Sequence, residues 1–206
     1  MKPFYTHTTD LSDLDHPVVE IRSLALPLTL RVPHGEGDVS ALTSILNNEE
    51  NTKDDLSVAT ASKEELEEIS RKWTKVTHPL SYMNFLMLMT EGASLEPIGL
   101  AGMGWIGPVN QAAEQASPQA GAAGVVVNPS ARRKGYGHEA LRMVIDYGIR
   151  ELGLAEVRIG TNSKNTGMKR LIERFGLKFE AGAVVDKFGN DFNWTIRRDD
   201  WLVLGE

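Results

Sequence analysis

A basic, glycine-containing turn lies between an apolar segment and a helical segment in the second half of the chain. It reads Arg132-Arg133-Lys134-Gly135-Tyr136-Gly137, and His138 follows it. The first N–H groups of a helix have no internal acceptor, and the helix dipole places partial positive charge beside them. Glycines let those N–H groups approach a diphosphate closely, and the three cations add charge. The segment from Arg132 to His138 therefore predicts a phosphate-binding turn.

Two other phosphate-binding motifs do not match this turn. It lacks the GxxxxGK[ST] pattern of a Walker loop. It also lacks the GxGxxG pattern, with an acidic residue about 20 positions later, that is typical of dinucleotide-binding folds. A solvated turn and a localisation patch remain alternatives for Arg132, Arg133 and Lys134.

The elements around the turn predict a mixed α/β fold with antiparallel strands at both ends and one βαβ crossover. An apolar strand precedes the turn, and a helix of period 3.6 follows it until Gly153. Ser62 and Glu65 have the spacing of a helix capping box. We expect residues 1–20 to be an arm and residues 21–206 to be one domain. The expected strands are 24–32, 82–89, 97–106, 122–127, 156–160, 177–185 and 191–196, and the other expected helices begin at Asp38, Ser62 and Asn165.

Composition narrows the possible functions. The chain has 206 residues, no cysteine and a formal net charge of −6. Disulfides, thiolate metal sites and a cysteine nucleophile are excluded, and the acidic balance disfavours nucleic acid as a partner. The amino terminus lacks the apolar region of a signal peptide, and no apolar run is long enough to span a bilayer. We therefore expect a cytoplasmic protein without a membrane partner, either a monomer or a homodimer.

Two segments together carry a resemblance to a known family. The turn fits the pattern [QR]-x-x-G-x-[GA], and the segment beginning Asn165-Thr166-Gly167-Met168 resembles N-x-x-[SAM]-x-x-L-x-E-x-x-G-F. Both are signatures of the GNAT acyl-CoA N-acyltransferases. The resemblance covers roughly residues 25–201, and the carboxyl-terminal segment is similar to that of the ribosomal-protein N-terminal acetyltransferases. It implies a twisted sheet of about seven strands, splayed between the fourth and fifth, with about four flanking helices.

The resemblance also implies roles for individual residues. The cosubstrate would be acetyl-CoA, and no metal would be needed. The apolar segment Val125, Val126 and Val127 would lie along its pantetheine arm, with backbone groups of Val125 and Val127 pairing with the pantetheine amides. The turn would hold the pyrophosphate, and Asn165 would form a hydrogen bond with the cofactor near the pantetheine. The acceptor would be an amine, either a small molecule or a peptide N-terminus.

Two positions depart from the family pattern. Many members have a glutamate on the fourth strand as general base, but this strand reads Ala120-Gly121-Ala122-Ala123-Gly124-Val125. Many have a tyrosine that protonates the leaving thiolate, where Ile172 stands here. The candidates for catalytic groups are therefore His78, Glu96 and Ser163, with Glu91 and Asp191 as further possible bases. The missing residues leave open a second function, a CoA-binding sensor or regulatory module without catalysis.

Overall fold

A computed structural model describes residues 3–53, 55, 58–91, 94–110, 117–176, 180–181, 186 and 189–204 of the chain. Within these residues, nine strands form one sheet in the order β1-β2-β3-β4-β5-β6-β7-β9-β8. All neighbouring pairs are antiparallel except β6 and β7, which are parallel. The strands are β1 (Tyr5–Asp10), β2 (Val18–Ser23), β3 (Leu28–Arg31), β4 (Met83–Glu91), β5 (Ser94–Pro108), β6 (Gln119–Val127), β7 (Glu156–Thr161), β8 (Glu180–Ala181) and β9 (Phe192–Arg197).

Helices cover both faces of the sheet. They are α1 (Gly35–Leu46), α2 (Glu49–Thr52), α3 (Lys63–Lys72), α4 (Tyr136–Arg150), α5 (Thr166–Glu173) and α6 (Arg198–Leu204), with a 3-10 turn at Pro129–Ala131. On one face, residues of α4, Ile172 of α5 and Trp201 of α6 join the larger hydrophobic core. On the other face, α1 and α3 pack through Leu42, Leu46 and Leu66 in a smaller core. The protein is thus a three-layer α/β structure.

Local signals position several of these helices as expected. The capping box of α3 is present, with Ser62 and Glu65 exchanging side-chain and backbone hydrogen bonds. Gly135 precedes α4 with a φ of +91°, a conformation that favours glycine. Asn165 caps α5 by accepting the backbone N–H of Met168 at 3.0 Å. The two caps and the Gly135 conformation determine where these helices begin.

The sheet opens between β6 and β7, which correspond to the fourth and fifth strands of the expected fold. The two strands pair only where Ala120, Gly121 and Ala122 lie beside Glu156, Val157 and Arg158. Beyond that point β6 continues to Val127 beside β5, while β7 continues to Thr161 beside β9. The expected splay is therefore confirmed, and among the described residues no strand pairs with this edge of β6 from residue 123 to residue 127.

The structure corrects four expectations about elements. Residues 1–20 are not an arm but contribute β1 and β2, and the threonine-rich β1 hides its strand character because only Tyr5 is buried. The first helix begins at Gly35, since Asp38 instead accepts the backbone N–H of His34. Two short helices were not expected: α2 lies within residues 47–62, and α6 follows the last strand. The described residues thus contain nine strands and six α-helices, against the expected seven and four.

Two further observations complete the fold. Of the strand expected at 177–185, only Glu180–Ala181 lies within the described residues. No helix in the described part of the chain combines the length and apolar character needed to cross a membrane.

Candidate functional site

The unpaired edge of β6 presents backbone groups into the opening of the sheet. Asn128 donates its backbone N–H to the Ile98 carbonyl of β5 at 2.8 Å. Backbone groups alternate sides along a strand, so those of Val126 face β5 while those of Val125 and Val127 face the opening. The Val126 side chain packs in the smaller core. An extended ligand can therefore pair with the backbone groups of Val125 and with the N–H of Val127, whose carbonyl already accepts a hydrogen bond from Arg132 Nε. Val126 contributes only packing.

The turn after β6 has the backbone form of an anion-binding loop. Arg133 and Gly135 both have positive φ values, +64° and +91°. Among the described residues, the backbone N–H groups from Arg133 through His138 have no acceptor, and the next one, from Glu139, donates to Gly135. Unsatisfied N–H groups at the start of a helix are a binding site for phosphate. This turn lies directly beyond the opening between β6 and β7.

The three cations of the turn differ in what they contact. Arg133 and Lys134 are exposed, and neither forms an ion pair within the described ranges. Arg132 is turned away from the N–H groups. Its Nε donates to the Val127 carbonyl at 2.8 Å, and its Nη2 donates to the Glu50 carbonyl at 2.7 Å and to Asn51 Oδ1 at 2.9 Å. Arg133 and Lys134 are therefore free to bind phosphate, while Arg132 ties α2 to the turn.

The first turn of α4 is packed tightly against its neighbours. A Cβ on Gly137 would lie 3.2 Å from Val127 Cγ2 and 3.3 Å from Leu171 Cδ1. Tyr136 is buried and its hydroxyl contacts Met89 Sδ at 3.2 Å. Gly137 thus permits the close approach of α4 to β6 and α5. Tyr136 holds the turn against the core through its buried side chain.

His138 packs between α4 and the residues that follow α5. Its ring is stacked on Phe175 with centroids 4.4 Å apart. Burial lowers the pKa of His138, and the neighbouring Arg174 lowers it further. Its side chain is a packing element of the helix pair, so its predicted contribution to phosphate binding rests on its backbone N–H.

Asn165 and Ser163 lie in the connection from β7 to α5. The Asn165 carboxamide uses Oδ1 to cap α5, and its Nδ2 has no partner within the described part of the chain. Ser163 is beside Asp191, whose Oδ1 accepts the Ser163 backbone N–H at 2.5 Å. Hydrogen bonding from Ser163 lowers the pKa of Asp191. Asn165 thus retains a donor for a ligand, and Ser163 has a carboxylate neighbour.

The three candidate catalytic residues are not brought together. His78 and Glu96 are exposed and lie at opposite ends of the β4–β5 hairpin. Neither makes a hydrogen bond or ion pair with a described residue. Ile172 is fully buried in the larger core, as a packing residue would be. Among the residues that the structure describes, no group of three His, Asp or Glu side chains could hold a metal ion.

Sequence reasoning missed the link between α2 and the turn. Besides contacting Arg132, Asn51 donates from Nδ2 to Asn128 Oδ1 at 2.8 Å and to the Ile45 carbonyl at 3.0 Å. Asn128 precedes Pro129, which marks it as a turn residue, but no local signal connects it with a residue 77 positions earlier. The link joins the α1–α2 connection to the end of β6.

The chain was compared with protein families, curated sequences and solved structures. Residues 28–178 match the family described as "Acetyltransferase (GNAT) domain". No curated protein sequence matches the chain. Many solved structures share the fold, and three of them illustrate its range.

The first is the spermidine N-acetyltransferase from Vibrio cholerae in complex with CoA and spermine, with a TM-score of 0.67 and 20% identity over 85% of this chain and 98% of that chain. The second is RimL, a ribosomal L7/L12 alpha-N-protein acetyltransferase in complex with coenzyme A, with a TM-score of 0.65 and 15% identity over 86% and 97%. The third is a GNAT-family acetyltransferase from Bacillus anthracis, with a TM-score of 0.61 and 17% identity over 84% and 96%. At these identities the likeness establishes the fold.

Proposed function

Because the chain belongs to the GNAT acetyltransferase family, we propose that it binds acetyl-CoA and transfers the acetyl group to a primary amine. The observation that carries the proposal is the continuity of two features. The unpaired edge of β6 ends in a turn whose N–H groups, from Arg133 through His138, have no acceptor among the described residues. An extended arm that ends in a diphosphate matches these two features in order.

The arm would run along β6 from the turn toward the apex of the opening. Backbone groups of Val125 and Val127 would bind its amides, the turn would bind the pyrophosphate, and Asn165 Nδ2 would donate from the other side. The free edge includes residues 123 to 127, about 16 Å of strand. Because β7 closes the opening at Ala122, the thioester would come to rest beside Ala123 and Gly124.

The reaction would be direct attack on the thioester. The amine nitrogen forms a bond to the carbonyl carbon, a backbone N–H of β6 stabilises the oxyanion of the tetrahedral intermediate, and the C–S bond then breaks. The amine loses one proton and the CoA thiolate gains one. No ionisable side chain is present on β6, and Ile172 is buried where a proton donor would stand.

The absence of a carboxylate on β6 bears on the choice of acceptor. The nucleophile must be a neutral amine, and deprotonation at pH 7 costs about 4.6 kcal/mol for a lysine side chain but about 1 kcal/mol for an α-amine. Amines of low pKa, such as peptide N-termini and small α-amino or aryl amines, therefore need less help from a base. Such acceptors fit a cytoplasmic enzyme that acts on a peptide or small molecule and not on nucleic acid.

A second function is favoured by the same missing groups. A protein that binds acetyl-CoA without turning it over, as a sensor or regulatory module, would need the turn and the edge of β6 but no acid or base. The two functions differ in one observable, the release of CoA thiol that depends on an amine.

The test is a thiol-release screen with acetyl-CoA over peptides with free N-termini, polyamines, amino sugars and aryl amines. An acetyltransferase releases thiol only when a suitable amine is present, and mass spectrometry finds the acetylated amine. If acetyl-CoA binds but no amine in the panel is acetylated, the sensor function replaces the enzyme.

A further inference from the structure

Asn84 of β4 is a buried carboxamide without a hydrogen-bond partner. It is 6% exposed, and its Nδ2 is fully shielded with no acceptor. No described residue forms a hydrogen bond with its Oδ1 either. Burying an amide without partners costs on the order of 1–3 kcal/mol, and such groups are rare in native proteins. Both polar atoms of the Asn84 carboxamide are therefore left without a partner among the described residues.

The strand register places Asn84 on a row of small residues. Asn84 lies opposite Gly102 of β5, and Gly102 lies opposite Gly124 of β6. The next row on the same face of the sheet is Leu86, Leu100 and Val126, each two residues away from a member of the Asn84 row. These side chains fill the smaller core beneath α1 and α3. Since side chains alternate faces, the row of Asn84 shares that face but carries no apolar side chain.

The two glycines of this row differ in the space around them. A Cβ on Gly102 would meet Met83 O at 2.5 Å and Asn84 Cα at 2.6 Å, so that position is filled by β4. Asn84 Oδ1 lies 2.7 Å from where a Cβ on Gly102 would stand, so the carboxamide leans over β5. A Cβ on Gly124 would meet nothing within 4 Å. The open space in this row is therefore a recess over Gly124, beside the Asn84 carboxamide, where the thioester is placed by the proposed function.

We propose that Asn84 binds the acceptor amine and presents its nitrogen to the thioester from this recess. The inference rests on the proposed function and adds the acceptor site to it. Oδ1 accepts a hydrogen bond from the amine N–H, while the nitrogen lone pair faces Gly124. Adjacent strands are about 5 Å apart, so an amine above Gly124 lies beside the carboxamide that leans over β5 and next to the edge of β6.

The neutrality of Asn84 determines which form of the amine it binds. A carboxylate at this position would stabilise an ammonium ion, which has no lone pair, and would raise the pKa of the bound amine. A carboxamide binds the neutral amine without that effect. The recess is therefore suited to α-amines and other amines of low pKa.

The test uses Asn84→Leu and Asn84→Asp in the full chain, with alanyl-alanine amide as the acceptor. Leucine has a similar shape and removes both polar atoms. Because those atoms have no partner in the described part of the chain, we expect the Tm of Asn84→Leu to be unchanged or higher. We expect its kcat/KM for the amine to fall about tenfold or more, the effect of one lost buried hydrogen bond, with the KM for acetyl-CoA unchanged. For Asn84→Asp we expect the pH midpoint of kcat/KM to move upward.

Thr29→Val is the matched control, because Thr29 is another buried polar residue of the sheet, 7% exposed on β3 and outside the recess. It should leave all kinetic constants unchanged. A lower Tm together with unchanged kinetics in Asn84→Leu would assign Asn84 to a structural water and overturn the inference.

A second measurement separates this inference from the proposed function. Calorimetric titration of alanyl-alanine amide into the protein saturated with CoA reports amine binding without turnover. Binding by the wild type and its loss in Asn84→Leu support the recess even if no acetyl transfer occurs. Equal binding by both proteins, or no binding by the wild type, overturns it.

Discussion

The clearest quantitative prediction concerns Gly137, the second residue of α4. An alanine Cβ there would lie 3.2 Å from Val127 Cγ2 and 3.3 Å from Leu171 Cδ1, so α4 must move by a few tenths of an ångström away from β6 or α5. Gly167, the second residue of α5, provides a matched control, since its Cβ would meet only Asn165 Oδ1 at 3.5 Å, an ordinary contact. Both changes gain the helix propensity of alanine over glycine, up to about 1 kcal/mol.

Only Gly137→Ala adds the cost of overpacking, about 1–3 kcal/mol. We therefore expect Gly137→Ala to be less stable than Gly167→Ala by about 1–3 kcal/mol in urea unfolding. We also expect weaker binding of acetyl-CoA by Gly137→Ala in calorimetry, because the N–H groups of the turn move with α4, and unchanged binding by Gly167→Ala. Equal stability and equal affinity of the two variants would refute the close approach of α4 to β6.

Ile172→Ala should lower the free energy of unfolding by about 2–5 kcal/mol, because Ile172 is fully buried. Ile172→Tyr should not raise the rate of acetyl transfer. Full stability with lost turnover in Ile172→Ala would contradict the packing role of Ile172. At pH 7, a peptide with a free N-terminus and a blocked lysine should be acetylated faster than the same peptide with a blocked N-terminus and a free lysine. Faster acetylation of the lysine peptide would indicate a strong general base. The first residues to mutate in a search for that base would be Glu91, Glu96, His78 and Asp191. Burial, and to a lesser extent the neighbouring Asp146 carboxylate, raises the pKa of the Tyr5 hydroxyl far above its usual value. The unfolded chain therefore releases the hydroxyl proton at a lower pH than the folded protein does. The free energy of unfolding should consequently decline as the pH rises above about 10. Tyr5→Phe should flatten that decline in urea unfolding at increasing pH, and an unchanged pH dependence would exclude Tyr5 as its source.

Local chemistry made part of the structure predictable from the sequence. The start of α3 follows from Ser62 and Glu65, which are three residues apart, and the start of α4 follows from Gly135. The splay of the sheet was expected from a family resemblance carried by the turn and by the segment that begins at Asn165. For α3 and α4, the decisive residues lie within one turn of the helix start that they determine.

Contacts between distant residues could not be predicted in this way. Tyr5 and Trp201 both donate to the Asp146 carboxylate of α4, at 3.0 and 2.8 Å, and this buried contact holds the first strand and the last helix against the core. Tyr5 and Asp146 are 141 positions apart, so neither segment reveals the other. For the same reason, the sequence did not show that Arg132 binds Asn51 instead of pointing into the turn proposed to bind phosphate.

The role of the turn at residues 132–137 is tested most directly by acetyl-CoA binding to Gly135→Asp. Gly135 has a φ of +91° and precedes the free N–H groups of α4, so aspartate adds backbone strain and a negative charge beside the diphosphate. Acetyl-CoA at 100 times its Kd should stabilise the wild type by about 2.7 kcal/mol and raise its Tm. We expect this shift, measured by thermal unfolding with and without acetyl-CoA, to disappear in Gly135→Asp. A folded Gly135→Asp protein with an undiminished shift would contradict the assignment of the phosphate-binding turn.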